Sequence, residues 1–352
     1  MYTSPAGFDY SAGIGETDPS MMVATARGAL LFGTCGSISA IDLDGRTLWQ
    51  TPLAERPFRE GVAGIALTST GQIFVATHEC PSFVSTRIHV YKLRADGKIM
   101  ASFRVGEMSY PPGIAPTGDW FTVSDTNLVR AFSPSSEAEV WMTDLPGYAH
   151  GAVALDSRGN LFIGTTGGDY NQLSLWSLEP KQGHVRWSTA TQQFLAPVVT
   201  DDDRVCAAGS GELRCYDHDG RELWRREIGS VSGTMAPLAF GHSGTIYARS
   251  VAGLLAFGRD GTERWRIPPG DGPRLAPGPI LDKDENVYVA LGHEVRSYTQ
   301  NGKHRWSVAL SDPGVMIIAA DGVLCVTSER RRLYAIESAP AQAGQVAKWP
   351  NP

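Results

Sequence analysis

The stretch Ala40-Ile41-Asp42-Leu43-Asp44-Gly45-Arg46-Thr47-Leu48-Trp49 decides the fold, because the chain repeats it. Tyr216-Asp217-His218-Asp219-Gly220-Arg221-Glu222-Leu223-Trp224 is the same phrase, and Ala256 to Trp265 and Ser297 to Trp306 are further copies around Asp260-Gly261 and Asn301-Gly302. Seven tryptophans, Trp49, Trp141, Trp187, Trp224, Trp265, Trp306 and Trp349, stand at steps of 92, 46, 37, 41, 41 and 43 residues. The first step is two periods, with Ala101, just after Asp96-Gly97, in place of a tryptophan, so eight copies are implied. A strand-like repeat of roughly 40 to 50 residues predicts a β-propeller, since one small sheet cannot bury both faces until its neighbours stack on it. The expectation is an all-β, eight-bladed propeller of four-stranded antiparallel blades. Seven blades is the alternative if the terminal segments do not complete a sheet.

Residues 236–267 show how one copy becomes one blade. Ala236 to Phe240, Thr245 to Arg249, Leu254 to Phe257 and Thr262 to Ile267 read as four strands joined by turns at His242-Ser243-Gly244, Ala252-Gly253 and Asp260-Gly261. Asp-Gly and Asn-Gly between extended runs predict tight hairpins of type I′, which need positive φ at both central positions. The closing tryptophan is expected between adjacent sheets. Burying roughly 150 to 250 Å² of it at about 25 cal/mol per Å² is worth roughly 4 to 6 kcal/mol gross. Blades are expected to end near Leu53, Gly106, Pro146, Ala190, Gly229, Pro268 and Leu310, the eighth starting near Val315. Insertions at His78 to His89 and Thr165 to Gln172 are expected in loops. Residues 21–338 form the propeller, residues 1–20 are an N-terminal segment able to close the ring as a strand, and residues 339–352 are a tail whose Trp349 competes for that place.

The chain has 352 residues, 42% hydrophobic and 19% charged, with 39 glycines and 22 prolines, which suits many short strands and tight turns. A formal charge of −6 and no Lys/Arg block beyond Arg330-Arg331-Arg332 argue against nucleic acid and anionic membranes as partners. No apolar run is long enough to span a membrane, and Met1 to Tyr10 lacks the basic and apolar regions of a signal peptide. As written the chain reads as cytoplasmic, and as periplasmic or secreted if a leader has been removed. The five cysteines, Cys35, Cys80, Cys206, Cys215 and Cys325, have no zinc spacing. A two-residue turn at Ser210-Gly211 sets Cys206 opposite Cys215, where two buried small side chains are expected, a disulfide being within reach as the alternative. Asp42-Leu43-Asp44-Gly45 and Asp217-His218-Asp219-Gly220 lack the twelfth-position acid of a calcium loop and read as turns, as do Asp201 to Asp203 and Asp282 to Asn286. No metal site and no cofactor are expected.

The Ala-x-Asp-x-x-Gly-x-x-x-Trp phrase, complete at residues 40 to 49, resembles the tryptophan-docking repeat of the bacterial pyrroloquinoline-quinone-type propellers. This resemblance implies the eight-bladed scaffold and leaves its use open, since the superfamily holds both quinoprotein dehydrogenases and a lipoprotein of outer-membrane assembly. The dehydrogenases have a disulfide of adjacent cysteines. No Cys-Cys dipeptide occurs here, so quinoprotein chemistry is set aside. The assembly-type members imply protein binding.

In a four-stranded blade, the loops between second and third strands share an end with the connections to the next blade. That end collects Arg59, Glu60, His78, Glu79, Tyr110, Tyr148, His150, Asp169, Tyr170, Gln193, Arg274, His293, Glu294 and Asp312. His78 and His150 are the candidate catalytic or ligand residues; the other twelve are candidate binding residues. The expected function is a non-catalytic, monomeric scaffold binding a protein or peptide through these channel-mouth loops. The alternative is a lyase- or hydrolase-type enzyme with a small-molecule pocket at the same mouth.

Overall fold

The computed structural model describes residues 2–3, 22–34, 36–53, 60–79, 88–106, 112–124, 128–134, 138–149, 152–166, 173–191, 197–209, 211–230, 238–270, 278–311, 313–319, 322–328 and 332–336. Within them lie eight antiparallel sheets, and the chain is an all-β, eight-bladed β-propeller. Seven blades are four-stranded; the fourth gains a fifth strand, Tyr148–Ala149, beside Leu161–Thr166. The fourth strands fall where the repeat places them, at Thr47–Pro52, Ile99–Gly106, Glu139–Asp144, Val185–Thr191, Glu222–Glu227, Glu263–Ile267 and His304–Ala309. In the eighth blade, Pro313–Ile318, Leu324–Ser328 and Arg332–Ile336 are joined by Tyr2–Thr3, with Tyr2 opposite Leu333. Trp349 lies outside the described residues. Among the described residues, no helix is long and apolar enough to cross a membrane.

Contacts divide the chain into two compact units, Met1–Pro111 with His293–Arg296 and Arg305–Pro352, and Pro112–Gly292 with Ser297–His304. In the second unit the first strands Gly113–Ile114, Ala154–Leu155, Val198–Val199, Leu238–Phe240 and Ile280–Leu281 touch in succession. In the first unit Met22–Ala24 touches Glu60–Leu67 and Pro313–Ile318. The second strands of blades five, six and seven are buried along their whole length because each face meets a different neighbour. In Ile246–Ser250, Ile246 and Ala248 join Cys206, Leu213 and Trp224 of blade five. Tyr247 between them faces Val287, Val289 and Tyr298 of blade seven. An alternating strand thus reads as a continuous apolar run, since blade stacking buries both sides.

The turns correct the type I′ expectation. Gly45, Gly97, Gly220, Gly261 and Gly302 have φ of 78 to 82°, while the residue before each stays negative. The amide of Gly45 donates to Asp42 O, the amide of Asp42 to Arg46 O, and the strand register slips between Ala40 and Ile41. That is a type I turn closed by a glycine bulge. The first aspartate decides it: Asp42 Oδ1 accepts from the Arg46 amide at 2.8 Å, and Asp217 Oδ1 from the Arg221 amide at 2.9 Å, both across four residues. The same turn joins first and second strands, with glycine at 28, 71, 118, 159, 244 and 322. In blades five and seven Asp203 (φ 60°) and Glu285 (φ 58°) stand at that place, the only non-glycine residues with positive φ among those described.

Candidate functional site

The expected mouth residues fall mostly outside the described set. Arg59, Tyr110, His150, Asp169, Tyr170, Gln193, Arg274 and Asp312 are not described, nor are the side chains of Glu60, His78 and Glu79. The backbone of those last three lies in strands rather than loops, with Glu60 paired to Glu79 and Gly61 to His78. The insertion after them therefore starts later than the repeat spacing places it, since the pairing of Glu60–Leu67 extends the second strand through Glu79. Tyr148, His293 and Glu294 are described. Tyr148 is 43% exposed on the extra strand of blade four. His293 is exposed, its carbonyl accepting the Leu310 amide at 2.9 Å. Glu294 is held by Arg296 two residues on, Nε to Oε2 2.7 Å, so it is paired within its own strand. Glu212 and Arg214 repeat that pair in blade five at 2.5 Å.

Arg249 is a further charge that the sequence reading missed. It holds the second-strand position occupied elsewhere by Gly33, Ala76, Val123, Gly164, Ala208, Ala290 and Thr327. Its side chain is buried between blades six and seven, where Nε donates to Ala290 O at 3.2 Å. Burial pulls its pKa below the usual arginine value. Aligning the eight second strands would have exposed it.

At the other end of the blades, the turns between first and second strands are tied from blade to blade. Asp203 accepts the Ser157 amide at 2.9 Å and the Ser157 hydroxyl at 2.7 Å. Burial pushes the Asp203 carboxyl up, but those two bonds, with the charges of Arg158 and His218, hold it below its ordinary value. His242 Nδ1 lies 2.6 Å from Asp201 Oδ2, and Glu285 Oε1 accepts the Ser243 amide at 2.6 Å. His242, Asp201 and Ser243 do not make a nucleophile relay: the Ser243 hydroxyl is 3.0 Å from Thr245 Oγ1, and His242 is 83% exposed. Among the described residues no group of three or more His, Cys, Asp or Glu side chains could hold a metal ion.

The repeat tryptophans knit the sides of the blades. Trp187 Nε1 donates to His218 O at 2.9 Å, Trp224 to Arg259 O at 3.0 Å, Trp265 to Gln300 O at 2.9 Å and Trp141 to Pro180 O at 2.8 Å. Each ring lies on the turn glycine of the next blade. A Cβ built on Gly220 would sit 2.5 Å from Trp187 Cδ2. Blade four's turn is one residue longer, Glu179 to His184, with the Gly183 amide bonded back to Glu179 O. Beside it a cavity of about 380 Å³ opens between blades three and four, lined by Phe132, Val140, Trp141, Pro116, Pro180, Arg158 and Lys181 among others. In blade five, Cys206 faces Cys215 with Cα atoms 4.1 Å apart and the sulfurs bonded, both fully buried.

A family model described as outer membrane protein assembly factor BamB matches residues 125–339, more than half of the chain. No curated protein matches by sequence. Among solved structures, BamB from Moraxella catarrhalis superposes with a TM-score of 0.65 at 17% identity, over 93% of this chain and 97% of that one. The computationally designed Ika8 protein gives 0.70 at 11% identity over 90% and 95%, and the C-terminal WD40 domain of Sif2 gives 0.67 at 11% over 89% and 93%. At such identities the structures report the fold alone, which a WD40 domain and a computationally designed protein share. It is the match of repeat and spacing across residues 125–339 that places this chain in the outer membrane protein assembly factor BamB family.

Proposed function

We propose that this chain is a rigid, non-catalytic platform that binds a protein or peptide through the loops at the mouth end of its blades. The observation that carries the reading is membership in a family named for the assembly of outer-membrane proteins, a task whose substrates are themselves polypeptides. Two features of the scaffold support it. Glu294 is already paired with Arg296, and adjacent blades are bonded turn to turn and ring to turn, so a binding surface carried on them is preorganised. A preorganised surface loses little entropy on association.

The test places a photo-crosslinking benzoylphenylalanine at Tyr148, exposed at the mouth end, and at Leu223, exposed on the outer edge of blade five. Irradiation in the native host should give a discrete protein adduct from position 148 and none from 223. Equal labelling at both would overturn the reading. So would a stoichiometric small molecule or metal in native mass spectra that disappears in His78→Ala or His150→Ala, which would establish the mouth as an enzyme site.

A further inference from the structure

The fourth strand of a blade is its outer edge, and the residues on either side of the repeat tryptophan are carried there. An edge presents unpaired backbone donors and acceptors, and proteins defend it with charged or polar side chains. Six blades do so at one or both of these positions, with Gln50, Ser102, Arg186, Arg225, Arg264 and Ser307. Blade three does not. Its strand Glu139–Asp144 carries Val140 and Met142 around Trp141, 56% and 51% exposed. Glu139, next to Val140, is taken up by Arg130, which stands opposite Met142 on the neighbouring strand, at 2.6 Å.

The same strand borders the 380 Å³ cavity between blades three and four. Phe132 and Trp141 give it an aromatic floor, and Pro116 and Val140 wall it. Its cations, Arg158 and Lys181, are exposed, and neither has a carboxylate within ion-pair distance among the described residues. The acid in the lining, Asp119, already accepts a bond from Thr117 Oγ1 at 2.7 Å. An unguarded edge, an apolar cavity that strand helps to line and exposed positive charge on the rim, that of Lys181 in no ion pair among the described residues and that of Arg158 also felt by Asp203, describe one occupant. A second copy of this chain does not fit, because two-fold antiparallel pairing of Glu139–Asp144 would set Glu139 against Asp144.

We propose that an extended segment of a partner protein, alternating apolar and acidic residues, adds to the edge of blade three. Its backbone pairs with Glu139–Asp144, one apolar side chain enters the cavity over Phe132 and Trp141, and its carboxylates meet Arg158 and Lys181. This rests on the reading of the chain as a protein-binding platform and gives it a second surface, on the outer edge of a blade rather than at the mouth loops.

The probe is a fluorescein-labelled, proline-capped peptide alternating leucine and glutamate, titrated with the full chain by anisotropy against a leucine–lysine peptide of equal length. The glutamate peptide should bind and the lysine peptide should not. Val140→Arg with Met142→Arg should weaken binding about tenfold or more, while Leu48→Arg, the same insult on the edge of blade one, leaves it unchanged. Lys181→Glu should weaken the glutamate peptide and admit the lysine peptide, a swap that no loss of folding can imitate. Equal binding of the two peptides by the wild type, no binding of either, or a double variant that binds like the wild type overturns the proposal. Loss here with the Tyr148 adduct intact removes this surface alone; peptide binding without that adduct removes the mouth.

Discussion

Gly71 and Gly220 have the same backbone angle, φ +82°, and differ only in what a side chain would meet there. Around Gly71 there is nothing within 4 Å, whereas a Cβ on Gly220 would sit in the ring of Trp187. Gly71→Ala should therefore cost only the left-handed penalty, about 1 to 2 kcal/mol. Gly220→Ala should cost about 1 to 3 kcal/mol more from overpacking. Urea titrations of the two variants measure the difference, and equal costs would mean that the ring does not rest on the glycine. His242 supplies a pH test. The bond to the Asp201 carboxylate and that carboxylate's charge hold its pKa above the ordinary 6.5; desolvation works against them, and the charge of Glu285 adds to them. A raised pKa means that the stabilisation is full below the unfolded value and is lost as pH rises through the folded one. The melting temperature of the wild type should exceed that of His242→Ala at about pH 6, the gap closing by about pH 9. The roles of Asp203 and Glu285 were readable too, had the turns been aligned, since each acid stands in a column of glycines. What the alignment does not reveal is that their carboxylates reach Ser157 and Ser243 in the preceding blade.

Among elements, the hairpin of blade five carries the sharpest expectation. Cys206 and Cys215 occupy a directly opposed pair whose register follows from the turn at Gly211. Closing a loop of that size should contribute about 2 to 3 kcal/mol through the unfolded chain. A phosphine reductant should lower the urea midpoint accordingly, and an unmoved midpoint would mean that the thiols are free. This register was legible because a two-residue turn leaves no freedom in counting back along the strands. The type of the repeat turns was not. Asp-Gly suits both a type I′ turn and a type I turn with a bulge, and the choice falls to Asp42 and Asp217, whose carboxylates bind amides four residues on. The extra strand Tyr148–Ala149 was also illegible, for two residues carry no period.

The molecule as a whole was the most legible scale, because stacking blades imposes one period on the entire chain and the tryptophans print it. The mouth was the least legible, since loops between blades carry no repeat against which an unusual residue stands out. The edge of blade three lay between these extremes: Val140 and Met142 are visible beside Trp141, but the cavity that Val140 and Trp141 line also takes Pro180 and Lys181 from the longer turn of another blade. The pairing of Tyr2–Thr3 with Arg332–Ile336 makes the eighth blade depend on both ends of the chain. Deleting residues 1–20 should expose Arg332–Ile336 as an edge, lower the melting temperature and promote aggregation in light scattering. An undiminished melting temperature would mean that another strand can serve. The ties between neighbouring turns have a different kind of consequence. A repeat made of equal copies can be shuffled, shortened or extended, as each copy fits beside any other. Here Asp203 needs Ser157 before it, His242 needs Asp201, and Glu285 needs Ser243. Blades four to seven have thereby acquired addresses: exchanging two of them would keep every strand and every tryptophan and still leave the carboxylates reaching for partners in the wrong places.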